Sequence, residues 1–279
     1  MDKRLMASAC VAIMAAGVPA AVALTPNAVR AQEKTAEQTD GKKAESGAEA
    51  PEDAWRFTIG AGGIYHPDYT GSDEYEPAAF PVVKIERGPL YLETDGPGVR
   101  HGLFEFGPIV RFGEGRSDVE DDVVDRLPEI DDALWLGLFA GYTEKRIFGD
   151  RDSLGVELEA LKAATDDNGT TITIGVKYGV QATRRLSLSI GTSATYADTD
   201  YADTYFSVDA DGAAASGLSQ YAAGSGLRDV GIRLSARYAI TRQIGLGGFA
   251  GVSRLVDDFA DSPIVDERGS ATQAIGGLF

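Results

Sequence analysis

Most of this chain alternates strictly between apolar and polar residues, over stretches too long for an ordinary soluble sheet. Residues 171–183 place Ile172, Ile174, Val176, Tyr178, Val180 and Ala182 on one face, with Thr171, Thr173, Gly175, Lys177, Gly179 and Gln181 on the other. Residues 186–196, 229–240 and 152–162 repeat the pattern. Successive side chains of a strand point to opposite faces, so each segment presents one apolar and one polar side. A soluble sandwich would alternate too. Here the predicted strands run about 10–13 residues, against the ~5–6 usual in soluble sheets and the ~9–11 of a tilted membrane strand. Their polar face is small and wet, rich in Gly, Ser and Thr with scattered charges such as Glu157, Glu159, Arg233 and Arg237. That composition suits the interior of a transmembrane barrel.

Connection lengths sharpen the reading. With the amino end in the periplasm, upward strands fall at 55–65, 89–95, 108–115, 152–162, 186–196 and 244–255. Downward strands fall at 79–87, 98–106, 133–145, 170–182, 229–240 and 270–279. The periplasmic turns are then short: Arg87-Gly88, Gly107-Pro108, 145–151, 183–185 and 241–243. The long connections 66–78, 116–132, 197–228 and 256–269 all lie outside, as outer-membrane barrels arrange them. The expected fold is all-β: a closed antiparallel transmembrane barrel of twelve strands, or ten if strands within the Gly/Pro-rich stretch 89–115 merge. No run after the amino-terminal segment is apolar enough for a membrane helix, which needs about 20 residues. A closed barrel is the remaining form that pairs every backbone group in lipid. Trp55, Tyr65, Tyr91, Trp135, Tyr142, Tyr178, Tyr196 and Tyr238 lie near strand ends or at outward positions and are candidates for interfacial girdles.

Residues 1–31 read as a signal peptide: Lys3 and Arg4, an apolar run from Leu5 to Leu24, then small residues up to Ala31. The one cysteine, Cys10, lies inside that run, so the mature chain uses neither disulfides nor thiolate metal sites. Removing the segment takes away Lys3, Arg4, Arg30 and Asp2, which makes the formal charge of −17 more negative still. Such a balance argues against nucleic acid as a partner. Residues 32–54 are polar and free of aromatics, and they are expected to form a disordered periplasmic leader. Residues 55–279 are then one domain.

Several segments, read together and in order, resemble the MipA/OmpV family of MltA-interacting outer-membrane proteins. They are the run from Gly60 to Tyr75, Phe80-Pro81, Gly107-Pro108, Gly115-Arg116, 196–201 leading to Tyr205-Phe206, 226–229 and 261–265. The likeness extends from about Trp55 to the carboxyl end. It departs at 274–279, where only the final Phe279 remains of the family's aromatic-rich last strand. The resemblance implies an outer-membrane barrel and a scaffold joining a murein transglycosylase to a murein synthase. It supplies no residue motif for that contact.

The sequence assigns no catalytic, cofactor-binding or metal residue. Of the two histidines, neither His66 nor His101 has a serine two residues away, so a strand-face His–Ser pair is not available. Residues 245–250 match G-x-G-x-x-A, but an alternating strand continues where a dinucleotide site needs a helix. The acids crowding 118–132 and 198–211 invite a divalent cation bridging to lipopolysaccharide, although they lack calcium-loop spacing. Arg56, Lys84, Glu86, Glu157, Glu159, Lys177, Arg233 and Arg237 are expected to face the lumen, paired as a plug or lining a narrow pore. The favoured function is a non-enzymatic envelope scaffold in the outer membrane, surrounded by its lipid and lipopolysaccharide. The alternative is a small channel or solute-binding barrel.

Overall fold

The computed structural model describes residues 54–279 except 114, 166 and 167. The expected signal segment, and the leader apart from Ala54, lie outside the described residues. Twelve antiparallel strands among the described residues close into a barrel in sequence order, with the last strand pairing the first. They are β1 (Arg56–Pro67), β2 (Tyr75–Arg87), β3 (Leu90–Glu93), β4 (Gly96–His101), β5 (Phe104–Gly113) and β6 (Ala133–Lys145), followed by β7 (Asp152–Ala163), β8 (Thr170–Gln181), β9 (Leu186–Ala197), β10 (Gly226–Ala239), β11 (Gly245–Leu255) and β12 (Thr272–Leu278). Each predicted strand has its counterpart, and the ten-strand alternative falls away.

One turn is corrected. Gly107-Pro108 lies in the middle of β5, paired to Phe139 and Leu138 of β6. The chain reverses instead at Gly102-Leu103, where Gly102 adopts φ +63°, a left-handed conformation that a glycine takes without strain. Pro108 sits mid-strand because β4 is short: β4 and β5 pair only from Val99–Phe106 to His101–Phe104. The missing donor therefore falls where the regular β4–β5 pairing has ended, just before Val110 N–H bonds the Asp95 carbonyl at 3.1 Å.

The outward face is apolar over the full girth of the barrel. Ile59 is 83% exposed, Leu138 68% and Phe57 64%, with Ile174, Leu234 and Leu278 among many similar side chains. Apolar patches of this extent are not tolerated by a protein surrounded by water, and they suit contact with lipid. Two girdle candidates turn the other way. Tyr91 and Trp135 are buried on the inward face.

Inside, large side chains lie over glycines of neighbouring strands. A Cβ on Gly62 would meet Phe80, on Gly98 Tyr91, on Gly247 Phe279 and on Gly277 Phe249. A twelve-strand cylinder has limited room, so each ring occupies the space that its neighbour's missing side chain leaves. The glycines scattered along the polar face thus set where bulky inward residues fit.

Candidate functional site

The lumen holds a cavity of about 380 Å³ bounded by inward residues of most strands, from Tyr69 and Thr70 at the outer end to Arg237 and Phe279 at the periplasmic end. Its two walls differ in charge. On β1–β7 the charges form two groups of ion pairs, one above the other. Glu86 pairs electrostatically with Lys84 (3.2 Å), Arg100 (3.6 Å) and Arg56 (3.7 Å). Lys84 also reaches Glu93 (3.0 Å), and Arg100 reaches Glu105 (3.4 Å). Higher up, Arg111 clasps Glu159 with both guanidinium nitrogens and lies 3.9 Å from Asp95. Arg111 and Glu159 are 5% and 3% exposed. Burial on this scale is tolerated because the fork satisfies both carboxylate oxygens at once.

The opposite wall, β8–β11, is nearly bare. Its inward residues are mostly glycine, serine and threonine, with Lys177, Gln181, Ala197, Arg228, Asp229, Arg233, Arg237, Ala239, Phe249 and Leu255 as the exceptions. Asp229 is held by Arg228 at 2.6 Å. Arg233 lies over the Phe249 ring at 4.8 Å, and Arg237 over Phe279 at 5.5 Å. The cavity borders Lys84, Glu157, Lys177, Arg233 and Arg237, while Glu86, Glu159 and Arg56 enter the ion-pair network beside it. Glu93, Asp95, Arg100, Glu105 and Arg111 join them, unforeseen because the strands within the Gly/Pro-rich stretch 89–115 are too short for alternation to show their inward face.

Over the outer mouth the long connections fold into a cap rather than loose loops. Residues 198–225 carry α1 (Thr199–Phe206) and α2 (Ala210–Ser216), and the connection after β11 carries α3 (Asp257–Ala260) and α4 (Pro263–Asp266). Asp198 caps α1 by accepting from Tyr201 N–H at 3.0 Å, and Asp209 caps α2 by accepting from Gly212 N–H at 2.7 Å. One apolar core joins the strand tops at Ile109, Trp135, Leu161, Ala197 and Leu255 to Tyr201, Phe206, Phe259 and Val265 of the cap. Phe206 and Phe259 meet edge to face, centroids 5.0 Å apart, and neither is exposed at all. A second core ties Tyr69 to Val124, Leu127, Val208, Leu218 and Ile264, so all four long connections share it.

The cap explains many of the acidic residues that the sequence offers for cation binding. Asp121 accepts from Arg268 (2.5 and 3.0 Å) and from the N–H groups of Val123 and Val124. Asp132 accepts from Gly115 N–H and Asp203 from the Ser207 hydroxyl. Among the described residues, no three acids or histidines come together as a metal ion would need. Partial burial alone would raise the Asp121 and Asp198 carboxyls, but Arg268 and N–H donors outweigh it for the first and N–H donors for the second, so both fall below the ordinary 3.8. Burial pulls Arg116 down to about 10, where it donates to the Tyr205 carbonyl at 3.0 Å.

A depressed carboxyl contributes stability that is present above its unfolded value and lost as pH falls through the folded one. Hydrogen exchange in residues 198–225 and 257–271, corrected for its intrinsic pH dependence, is therefore expected to rise below about pH 3.8 while the barrel strands stay protected. Asp121→Asn should loosen the cap already at pH 7 and weaken that acid-induced rise. Exchange that speeds equally in strands and cap would refute a local latch.

His66 is fully buried at the top of β1, with Nδ1 2.9 Å from the Pro67 carbonyl. His101 is exposed at the periplasmic turn. The two histidines stand at opposite ends of the barrel.

A family described as MltA-interacting protein MipA matches residues 59–279. YiaT of Escherichia coli strain K12, whose name calls it an outer membrane protein, is 25% identical over 230 residues, 80% of this chain and 90% of its own length. Among solved structures, OmpT of Vibrio cholerae, an outer membrane protein, aligns with 71% of this chain at 11% identity and a TM-score of 0.34, and the chain spans 59% of its length. A FadL homologue of Pseudomonas aeruginosa aligns with 80% of this chain and 64% of its own at 13% identity and a TM-score of 0.28.

Proposed function

This chain belongs to the MltA-interacting protein MipA family, and on that premise we propose that it is a non-enzymatic scaffold of the outer membrane. It would meet murein-cleaving and murein-synthesising enzymes from the periplasm. The observation that supports this reading is the cap. A barrel whose outer mouth is filled by a dry apolar core is built to stay in place rather than to pass solutes, which leaves the periplasmic rim as the working surface. That rim carries Arg146, Arg151, Arg184, Arg185 and Arg242 in its turns, on a chain of net charge −17. Beside them Phe148 is 81% exposed. Arginine and an exposed aromatic are the side chains that most often anchor a protein partner.

Crosslinking in native envelopes, read out for an MltA-type transglycosylase, tests the proposal. Arg184→Glu with Arg185→Glu is expected to cut the crosslinked yield several-fold, since reversed charges at an interface cost several kcal/mol. A yield untouched by those changes and by removal of residues 32–54, or no murein enzyme crosslinked at all, would sink the scaffold. The cavity beneath the cap favours a second reading, a solute-binding barrel open toward the periplasm.

A further inference from the structure

The three cations on the bare wall stand outside the ion-pair network of the lumen. Lys177, Arg233 and Arg237 take part in no ion pair among the described residues, whereas the inward cations of β2–β5 each have one. The strand registers show how they sit. Lys177 pairs with Gly191, Gly191 with Arg233, and Arg233 with Gly251, so cation and glycine alternate across four strands. Two strand spacings put the Lys177 and Arg233 backbones about 10 Å apart, with both long side chains free to lean over glycine toward a common point. Arg237 follows four residues further along β10. Ser193 and Ser253 line the cavity beside them and can donate, while Ser187 already donates to Gln181 and Ser189 and Ser235 bond each other. The Nε of Arg233 is buried and has no hydrogen-bond partner.

Three positive charges held together without a carboxylate are costly, and an acidic chain has many carboxylates with which it could have paired them. The only one on β8–β11 is Asp229, already bound to Arg228. Glu157, on the neighbouring strand, is close enough to act electrostatically on Lys177 without forming an ion pair. The phenyl rings of Phe249 and Phe279 support the two guanidinium groups from one side, which fixes their planes and leaves their N–H edges for the cavity. A guanidinium fork matches a carboxylate with two parallel hydrogen bonds.

From this arrangement we propose that Lys177, Arg233 and Arg237 form a binding site for a small carboxylate-bearing solute that enters the lumen from the periplasm. The site rests on the solute-binding reading and not on the scaffold. Arg237 is exposed at the periplasmic end and would meet the anion first; Arg233 and Lys177 would hold it deeper, with serine hydroxyls completing its shell. A cavity of about 380 Å³ has room for such a solute.

Calorimetric titration of the full mature chain in detergent micelles tests it, with glutarate, its uncharged diamide glutaramide, and inorganic phosphate as probes. Glutarate is expected to bind and glutaramide not. Arg233→Gln and Arg237→Gln should each weaken glutarate on the order of tenfold, the loss of one charge-assisted hydrogen bond. Arg254→Gln, on the outward face, should leave it unchanged. Arg233→Lys, which keeps the charge but loses the fork, should weaken glutarate less than Arg233→Gln does. Equal binding of glutaramide would leave a solute pocket standing but overturn the anion site. Phosphate bound more tightly than glutarate would overturn the assignment to carboxylates. Absence of glutarate binding, or binding that Arg233→Gln and Arg237→Gln leave intact in protein that migrates as folded barrel, would overturn both the site and the solute-binding reading.

Discussion

Excising residues 198–225 is expected to turn a barrel that passes no steady current into one that does. The segment supplies Tyr201, Ala202, Phe206, Val208, Leu218 and Ala223 to the two apolar cores over the outer mouth. Its removal need not disturb the wall. Ala197 and Gly226 face each other as the last partners of β9 and β10, so an Asn-Gly turn can join the shortened strands in register. What remains at the mouth is Phe259, Ile264 and Val265 without the helix they packed against, and water can enter past them. Planar-bilayer recording should find the intact chain silent and the shortened chain opening in steady single-channel steps. Comparable steps from the intact chain, or a shortened chain that folds and stays silent, would show that the cap is not what closes the lumen.

The second large effect lies deeper. Arg111→Leu should destabilise the barrel by about 3–5 kcal/mol, because it strands the Glu159 carboxylate in a nearly dry site. Glu159 is 3% exposed, and among the described residues its ion-pair partner is Arg111. Replacing both, Arg111→Met with Glu159→Leu, should recover most of that loss, since two apolar chains of similar size fill the same space without a desolvated charge. Urea unfolding of vesicle-refolded protein, followed by tryptophan emission, measures both. Trp135 is the cross-strand partner of Arg111 and reports on that level of the barrel. A single variant that unfolds within 1 kcal/mol of the parent would mean that water reaches the pair and that the lumen is wetter than its burial indicates.

The wall of this protein is legible in its sequence to within a few residues, and the cap is not. Alternation needs only neighbours along the chain, so β6 is predicted at 133–145 and found at Ala133–Lys145. The same logic places Lys177, Arg233 and Arg237 in the lumen, because inward parity is a local property once a strand is recognised. It fails at 96–113 for a local reason as well. Gly107-Pro108 carries a stronger turn signal than Gly102-Leu103, and only pairing with β6 overrules it. The cap helices have eight residues or fewer, too short for a 3.6-residue period to rise above noise. Asp198 and Asp209 were nevertheless available as helix-capping residues. Read as members of an acid cluster, they suggested a cation, whereas their carboxylates are spent on backbone N–H groups.

The seam that closes the cylinder has a consequence for how the chain reaches its folded state. β1 and β2 share twelve paired positions, but β1 and β12 share three, from Gly63–Leu278 to Tyr65–Gly276. Those three join the two ends of the domain, the most distant contact in the sequence, so ring closure bears the largest entropic cost for only three paired positions. Part of the deficit is made up above the seam. Gln273 accepts from Gly71 N–H and donates to the Ser72 carbonyl, and Ser270 N–H donates to the Gly71 carbonyl at 2.8 Å. These clasps bind the last strand to the first outer connection, so the final cylinder and its cap are completed in one cooperative event. Until then an open-edged sheet would expose unpaired amides to lipid, and assembly in the membrane must be timed by that last contact.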